Sequence, residues 1–159
     1  MGHTVQNGQA HGQIFLWDAF QDFGAHCRRV IDINEVAMTA TVEPGVTLDQ
    51  LNAALAPKGL FFGPDVATSS HATIGGMIGN NSAGAHSLTY GKTLDHVIEL
   101  TVLLSDGSEV VLKDLTADGV ESKSRADTIE GRVYREIARL AQQHRNEILA
   151  RYPKIMRRV

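Results

Sequence analysis

The stretch LFFGPDVATSSHATIGGMIGNNSAGAHSLTYG, residues 60–91, decides how the rest of the chain is read. Asp65 is its only formally charged side chain, and glycines stand at 63, 75, 76, 79, 84 and 91. A solvated linker of this length carries more charge and fewer apolar residues than Leu60, Phe61, Phe62, Ile74, Met77 and Ile78 provide. The segment therefore reads as ordered backbone with a buried or ligand-facing side.

Within it, Thr73-Ile74-Gly75-Gly76-Met77-Ile78-Gly79 reads as a threonine N-cap followed by a short helix with adjacent glycines in its first turn. Each helical glycine costs about 1 kcal/mol relative to alanine, so two together need a compensating reason. One reason is close approach of a ligand, since unpaired first-turn amides and the helix dipole favour an anion such as a pyrophosphate. The other is tight packing of helix against sheet. With no Lys or Arg between Leu60 and Gly91, a phosphate bound here would be held by amides and hydroxyls.

Working outward toward the N-terminus, Thr47 and Gln50 form a capping-box signature, and Leu48, Leu51 and Leu55 repeat at helical spacing. They predict a helix from Leu48 to about Pro57, stopped near Lys58-Gly59. Pro44-Gly45 ends a preceding strand, Met38–Glu43, which pairs with Val30–Ile33 across an Asn34–Glu35 turn. Met38, Ala40 and Val42 are predicted on one face of that strand. Gln13–Trp17 reads as a further short strand and Asp18–His26 as a turn or short helical piece.

Toward the C-terminus, His96–Leu104 is a strongly apolar strand, Asp106-Gly107 a hairpin turn, and Ser108–Leu112 the returning strand. Lys113–Arg125 is polar, contains Asp118-Gly119, and reads as a surface loop. Asp127 with Glu130 predicts the start of a long helix running to about Ala150, with Ile129, Val133, Ile137, Leu140, His144 and Ile148 along one face. Arg132, Arg135, Arg139 and Arg145 are read as solvating its outer face.

Two hairpins plus helices, without a regular strand–helix alternation, argue an α+β fold: a mostly antiparallel or mixed sheet with flanking helices. At 159 residues, 43% hydrophobic and 21% charged, the chain suffices for one ordinary folded domain. A net charge of −3 gives no electrostatic case for nucleic acid or an anionic membrane. No apolar run is long enough for a membrane span and no signal-peptide pattern opens the chain, so a cytoplasmic location is expected. Cys27 is the single cysteine, which excludes an internal disulfide and a cysteine-ligated cluster built from this chain alone; it reads as a packed small residue. Neither G-x-G-x-x-G nor G-x-x-x-x-G-K-[ST] occurs.

Several motifs then occur in one order: V-E-P-G-V-T-L-x-x-L, G-L-F-F-G-P-D, A-T-I-G-G-M-I-G-N-N-S-A-G-A-H-S-L-x-Y-G-K-T, D-H-V and D-G. Over about Asn7 to Leu112 this order resembles the FAD-binding domain (PCMH type) of FAD-linked oxidases of the vanillyl-alcohol oxidase type. Among these the chain looks closest to D-lactate dehydrogenases and glycolate-oxidase-like 2-hydroxy acid dehydrogenases. The resemblance implies an FAD held between two α+β subdomains, with this chain supplying most of the second. The positions it matches to flavin-contacting residues are Pro64, Thr68, Ser69, Thr73, Gly75, Gly76, Gly79, Asn80, Ala83 and Gly84. It implies that Thr73 and the following glycines lie near the pyrophosphate and ribityl chain, and that Asn80–Gly84 passes close to the flavin. Val66 departs from the pattern, where a second proline is common.

Larger departures lie at the ends. The resemblance implies a strand–helix–strand unit and a glycine-rich loop before Asn7-Gly8-Gln9-Ala10, and an E-G-T-L-G strand, a substrate-capping domain and the catalytic residues beyond Val159. Residues 1–12 are then expected to be a loose end, 13–150 a partial FAD-binding domain, and 151–159 a basic tail leading to a missing domain. The parent enzyme is expected to oxidise a small 2-hydroxy acid by passing a hydride to FAD, and this chain alone to lack the substrate site. Its partners are then FAD and the missing remainder of the FAD and substrate domains, with no metal or catalytic residue assigned within it. His71, His86 and His96 match no i, i+4 metal pair, and only His86 is a candidate to face the flavin edge. The alternative function is a cofactor-free folded segment with a structural or interaction role. A visible flavin spectrum on the purified chain, or a tight FAD titration, separates them, while a cradle held by glycine amides expects Gly76→Val to weaken FAD binding in the full enzyme with little loss of fold.

Overall fold

The structure is a computed structural model that describes residues 27–152. The strand and helical piece expected within residues 13–26, the loose end at 1–12 and most of the basic tail lie outside the described residues. The chain divides into two units between His96 and Val97.

In the first unit, β1 (Val30–Asn34) and β2 (Thr39–Val42) form an antiparallel hairpin. A bulge between Val30 and Asp32 adds one residue to β1, so Val30 and Ile33, three positions apart, are both half-buried against the core while Ile31 is exposed. The alternation expected for β2 does not hold. Met38 lies in the turn at φ 53° and Ala40 is exposed, which leaves Val42 as the core-facing member of that set. Arg29 closes the open end of the hairpin: its backbone N–H, Nε and Nη2 donate to the Glu43 carboxylate at 2.7, 2.9 and 2.7 Å.

The chain then turns through Pro44-Gly45 into α1 (Leu48–Leu55). Thr47 caps it as predicted, its hydroxyl accepting the Gln50 N–H while the Gln50 side chain accepts the Thr47 N–H. A 3-10 turn at Ala56–Lys58 ends on Gly59 at φ 68°, a left-handed conformation that suits glycine. Leu48, Leu51 and Leu55 bury one face of α1 against Val46, Ile74 and Met77. Each such side chain contributes about 1.5–3 kcal/mol on burial, so this cluster holds the unit together. Ile74 and Met77 belong to α2 (Ile74–Asn80), and α3 (Ser87–Tyr90) follows.

In the second unit, β3 (Glu99–Leu103) and β4 (Glu109–Lys113) pair antiparallel across the Asp106-Gly107 turn, where Gly107 takes φ 82°. The Asp106 carboxylate accepts the Ser108 N–H and hydroxyl at 3.0 and 2.6 Å, which holds the carboxyl below its usual range. The polar stretch expected to be a loop contains α4 (Ala117–Ser124), capped by Thr116. Next, α5 (Ile129–Gln143) is capped by Thr128 and not by Asp127, and it gives way at His144 to α6 (Arg145–Arg151). Arg135 bends back to donate to the Ser124 and Ala126 carbonyls at 2.6 and 2.8 Å, tying α5 to the end of α4. No helix among the described residues is long and apolar enough to cross a membrane.

The architecture is therefore α+β, with six α-helices and two antiparallel two-stranded sheets among the described residues.

Candidate functional site

The glycine-rich segment is built onto the caps of α1 and α2, because Thr47 and Thr73 form an antiparallel bridge. Leu48 N–H donates to the Ala72 carbonyl at 3.0 Å and Ile74 N–H to the Val46 carbonyl at 2.8 Å. The amides of Gly75, Gly76 and Met77 donate to the Pro44 carbonyl, the Thr73 hydroxyl and the Thr73 carbonyl at 2.9, 3.2 and 2.8 Å. Every first-turn amide of α2 thus has an acceptor within the chain, and none is left open for an anion. Thr73 is the cap, as expected.

The glycines separate into different cases. A Cβ on Gly75 would lie 2.7 Å from Pro44 Cβ and 3.1 Å from its carbonyl oxygen, so close packing accounts for that glycine. One on Gly84 would lie 1.6 Å from the Asp65 carbonyl oxygen. At Gly79, on the exposed side of α2, a Cβ would meet nothing within 4 Å. The fold gives Gly79 no steric reason to be glycine.

After α2, Asn81 caps the helix at φ 46°, and its carboxamide oxygen accepts the Leu94 N–H at 3.0 Å. The Ser82 carbonyl accepts both the N–H and the hydroxyl of fully buried Thr93, at 3.1 and 2.8 Å. Ser87 Oγ accepts the Gly84 N–H at 3.0 Å, and Asp65 Oδ1 accepts the His86 N–H at 2.8 Å. Among the described residues the amides of Ala83 and Ala85, flanking Gly84, donate to no group.

On the other flank, Pro64 is fully buried and Val66 packs against the core. The turn at 68–72 closes on itself, with the Thr68 carbonyl accepting the His71 and Ala72 amides at 2.8 and 2.7 Å. Its Ser69 carbonyl accepts the Asp49 N–H at 3.3 Å at the start of α1. Thr68 is exposed and Ser69 half-buried.

The residues marked from sequence therefore fall into two kinds. Pro64, Gly75 and Gly84 are taken up by the chain's own packing. Exposed Thr68, Gly79 and Asn80, with half-buried Ser69, Thr73, Gly76 and Ala83, offer hydroxyls, a carboxamide and bare backbone. Asp65 was not marked, although it grips Gly84 and His86 directly. The signal for it was present as the one carboxylate in an otherwise uncharged stretch.

The histidines do not converge. His71 Nδ1 lies 2.8 Å from Ser70 Oγ, while His96 Nε2 donates to the Tyr90 carbonyl at 2.7 Å beside the Phe62 ring. No group of His, Cys, Asp and Glu able to hold a metal ion occurs among the described residues.

The sequence matches the FAD binding domain family over residues 22–113. It is 38% identical over 156 residues to D-2-hydroxyglutarate dehydrogenase of Pantoea ananatis, covering 98% of this chain and 15% of that protein. It is 39% identical over 158 residues to the protein of the same name from Pseudomonas putida, again 98% of this chain and 15% of the relative. Against glycolate oxidase subunit GlcD of Bacillus subtilis it is 47% identical over 83 residues, 52% of this chain and 17% of the relative. The chain spans about 15% of the length of these two D-2-hydroxyglutarate dehydrogenases. With more than half of its residues matched, and with the motif order described above, the chain belongs to the FAD binding domain family.

Proposed function

We propose that this chain forms one wall of the FAD site in a flavin-dependent oxidoreductase whose substrate is a small 2-hydroxy acid. The observation that carries this reading is Gly79 in α2, where an added Cβ would meet nothing within 4 Å, followed in sequence by exposed Asn80 and by the amides of Ala83 and Ala85, which donate to no group among the described residues. A helical glycine with neither a packing partner nor a strained backbone is accounted for when something outside the chain approaches its Cα.

The residues present fit FAD in their chemistry. Thr68, Ser69, Thr73 and Asn80 supply neutral hydrogen-bond donors, Ala83 supplies an amide with no acceptor among the described residues, and Gly79 supplies bare backbone. No Lys or Arg in residues 60–91 competes for the ligand. Because the first-turn amides of α2 are engaged within the chain, hydroxyls and the 83–85 backbone are the assigned contacts, and the pyrophosphate is not placed on that helix end.

FAD, when bound, supplies the two-electron acceptor for the hydride leaving the hydroxyl-bearing carbon. The chain's own residues hold and orient it, and no catalytic base is assigned among them. The substrate class draws support from the relatives' names, D-2-hydroxyglutarate dehydrogenase and glycolate oxidase subunit, both of which denote a 2-hydroxy acid. These names favour 2-hydroxyglutarate or glycolate over D-lactate.

The test is to purify the parent polypeptide, extended at both ends of this chain. It is expected to carry flavin absorbance that bleaches anaerobically on addition of D-2-hydroxyglutarate, glycolate or D-lactate. A parent that carries no flavin and takes none up on titration overturns the reading.

A further inference from the structure

We propose that Asp65 is the positioning residue that sets the Ala83–His86 loop against the flavin, a role that rests on the FAD reading above. Its contacts converge on that loop from both side chain and backbone. Oδ1 accepts the His86 backbone N–H at 2.8 Å, and Oδ2 lies 3.5 Å from His86 Nδ1. The Asp65 carbonyl occupies the place where a Cβ of residue 84 would sit, 1.6 Å from its ideal position. Glycine at 84 is what lets the two segments touch.

This contact continues as a seam. Gly63 leaves room for Tyr90, whose Cβ would be 2.7 Å from a Cβ at 63, and Phe61 meets the Tyr90 ring edge-on with centroids 5.2 Å apart. The Tyr90 carbonyl in turn accepts His96 Nε2–H. Residues 61–65 therefore run along 84–96, and Asp65 is the last and only charged link. Its grip fixes the directions of the Ala83 and Ala85 amides, which have no acceptor among the described residues. A carboxylate here repels a pyrophosphate, so the end of the cofactor facing this loop is the uncharged ring system.

The experiment uses the full-length parent flavoprotein with Asp65→Asn, Asp65→Ala, His86→Ala and His86→Pro. Asp65→Asn keeps an oxygen acceptor and His86→Ala keeps the backbone donor, so both are expected to retain protection at the residue-86 amide and to weaken FAD binding less than Asp65→Ala does. Asp65→Ala is expected to lose hydrogen-exchange protection at the His86 amide, weaken FAD binding about tenfold and shift the flavin absorption maximum. His86→Pro deletes the same bond from the donor side, at a φ of −73° that suits proline, and is expected to reproduce the flavin effects even if Asp65→Ala fails to fold.

Wild-type affinity and spectrum in both Asp65→Ala and His86→Pro overturn the proposal, as does unchanged His86 protection in Asp65→Ala. The two readings fail separately. A parent without flavin removes the FAD reading and the positioning role with it, whereas a flavin-bearing parent indifferent to these changes removes the positioning role alone.

Discussion

Gly75, Gly79 and Gly84 look alike in sequence but differ in what a side chain would meet, and their substitutions have opposite signs. Gly84→Ala drives a methyl into the Asp65 carbonyl and is expected to destabilise the chain by about 1–3 kcal/mol or more, read as a lower urea midpoint. Gly79→Ala meets nothing and removes helix-interior glycine, so it is expected to stabilise by up to about 1 kcal/mol in the same measurement. In the parent, Gly79→Val is expected to weaken FAD binding while the fold is kept. Sequence alone left packing and ligand approach open for such glycines, because both demand the absence of a Cβ. The neighbour's coordinates separate them. Glu43 gives a pH signature at the same scale. Hydrogen bonds from Arg29 hold its carboxyl below the ordinary range, so its contribution is present above the unfolded value of about 4.3 and lost as pH falls through the lower folded one. Thermal melts from pH 6 down to about pH 3 are expected to show this loss, and Glu43→Gln to flatten that part of the profile.

Caps and turns were the elements most legible in sequence. The Thr47 capping box, the Thr73 cap, the Gly59 stop and the Asp106-Gly107 turn all sit where local chemistry puts them. Thr47→Ala removes the acceptor for the Gln50 amide and is expected to lower stability by about 1 kcal/mol in chemical denaturation, with Thr47→Ser restoring most of it. The misreadings have local causes too. Thr116 and Thr128 each cap a helix through the Gly three residues on, at 3.2 and 3.1 Å, but Asp118-Gly119 reads as a turn and Asp127 as the nearer cap. The β2 face expected from alternation is cut short because Met38 falls in the turn and Ala40, paired with Ile33, is exposed, and the bulge that puts Val30 and Ile33 on one side of β1 leaves no mark in hydrophobic period. The long helix breaks at His144, where the backbone turns to φ −103° and ψ 13°, although the apolar spacing runs straight through from Leu140 to Ile148. Along α5, Val133, Ile137 and Leu140 are exposed in spite of their helical spacing.

At the scale of the whole molecule, the chain spans a small part of its relatives' length, and among the described residues each hairpin pairs only its own two strands. Two strands alone are marginal in water, and Ile98, Leu103 and Val111 of the second unit are exposed. The chain by itself is therefore expected to bind FAD with a dissociation constant weaker than about 1 µM, measured by flavin fluorescence titration, and the extended parent to bind far more tightly. A submicromolar constant for the chain alone would show that one wall suffices. The amino-acid sequence by itself determined the family, the α+β class, the caps and the neutral glycine-rich segment, because these depend on local spacing and on the order of motifs. Only the tertiary structure decided which glycines are packed and which is open, that the first-turn amides of α2 are already engaged, and that Asp65 grips residues 84–86. Apart from the two α2 amides that Thr73 itself engages, these depend on whether segments distant in the chain meet, and no local pattern encodes the distance between them.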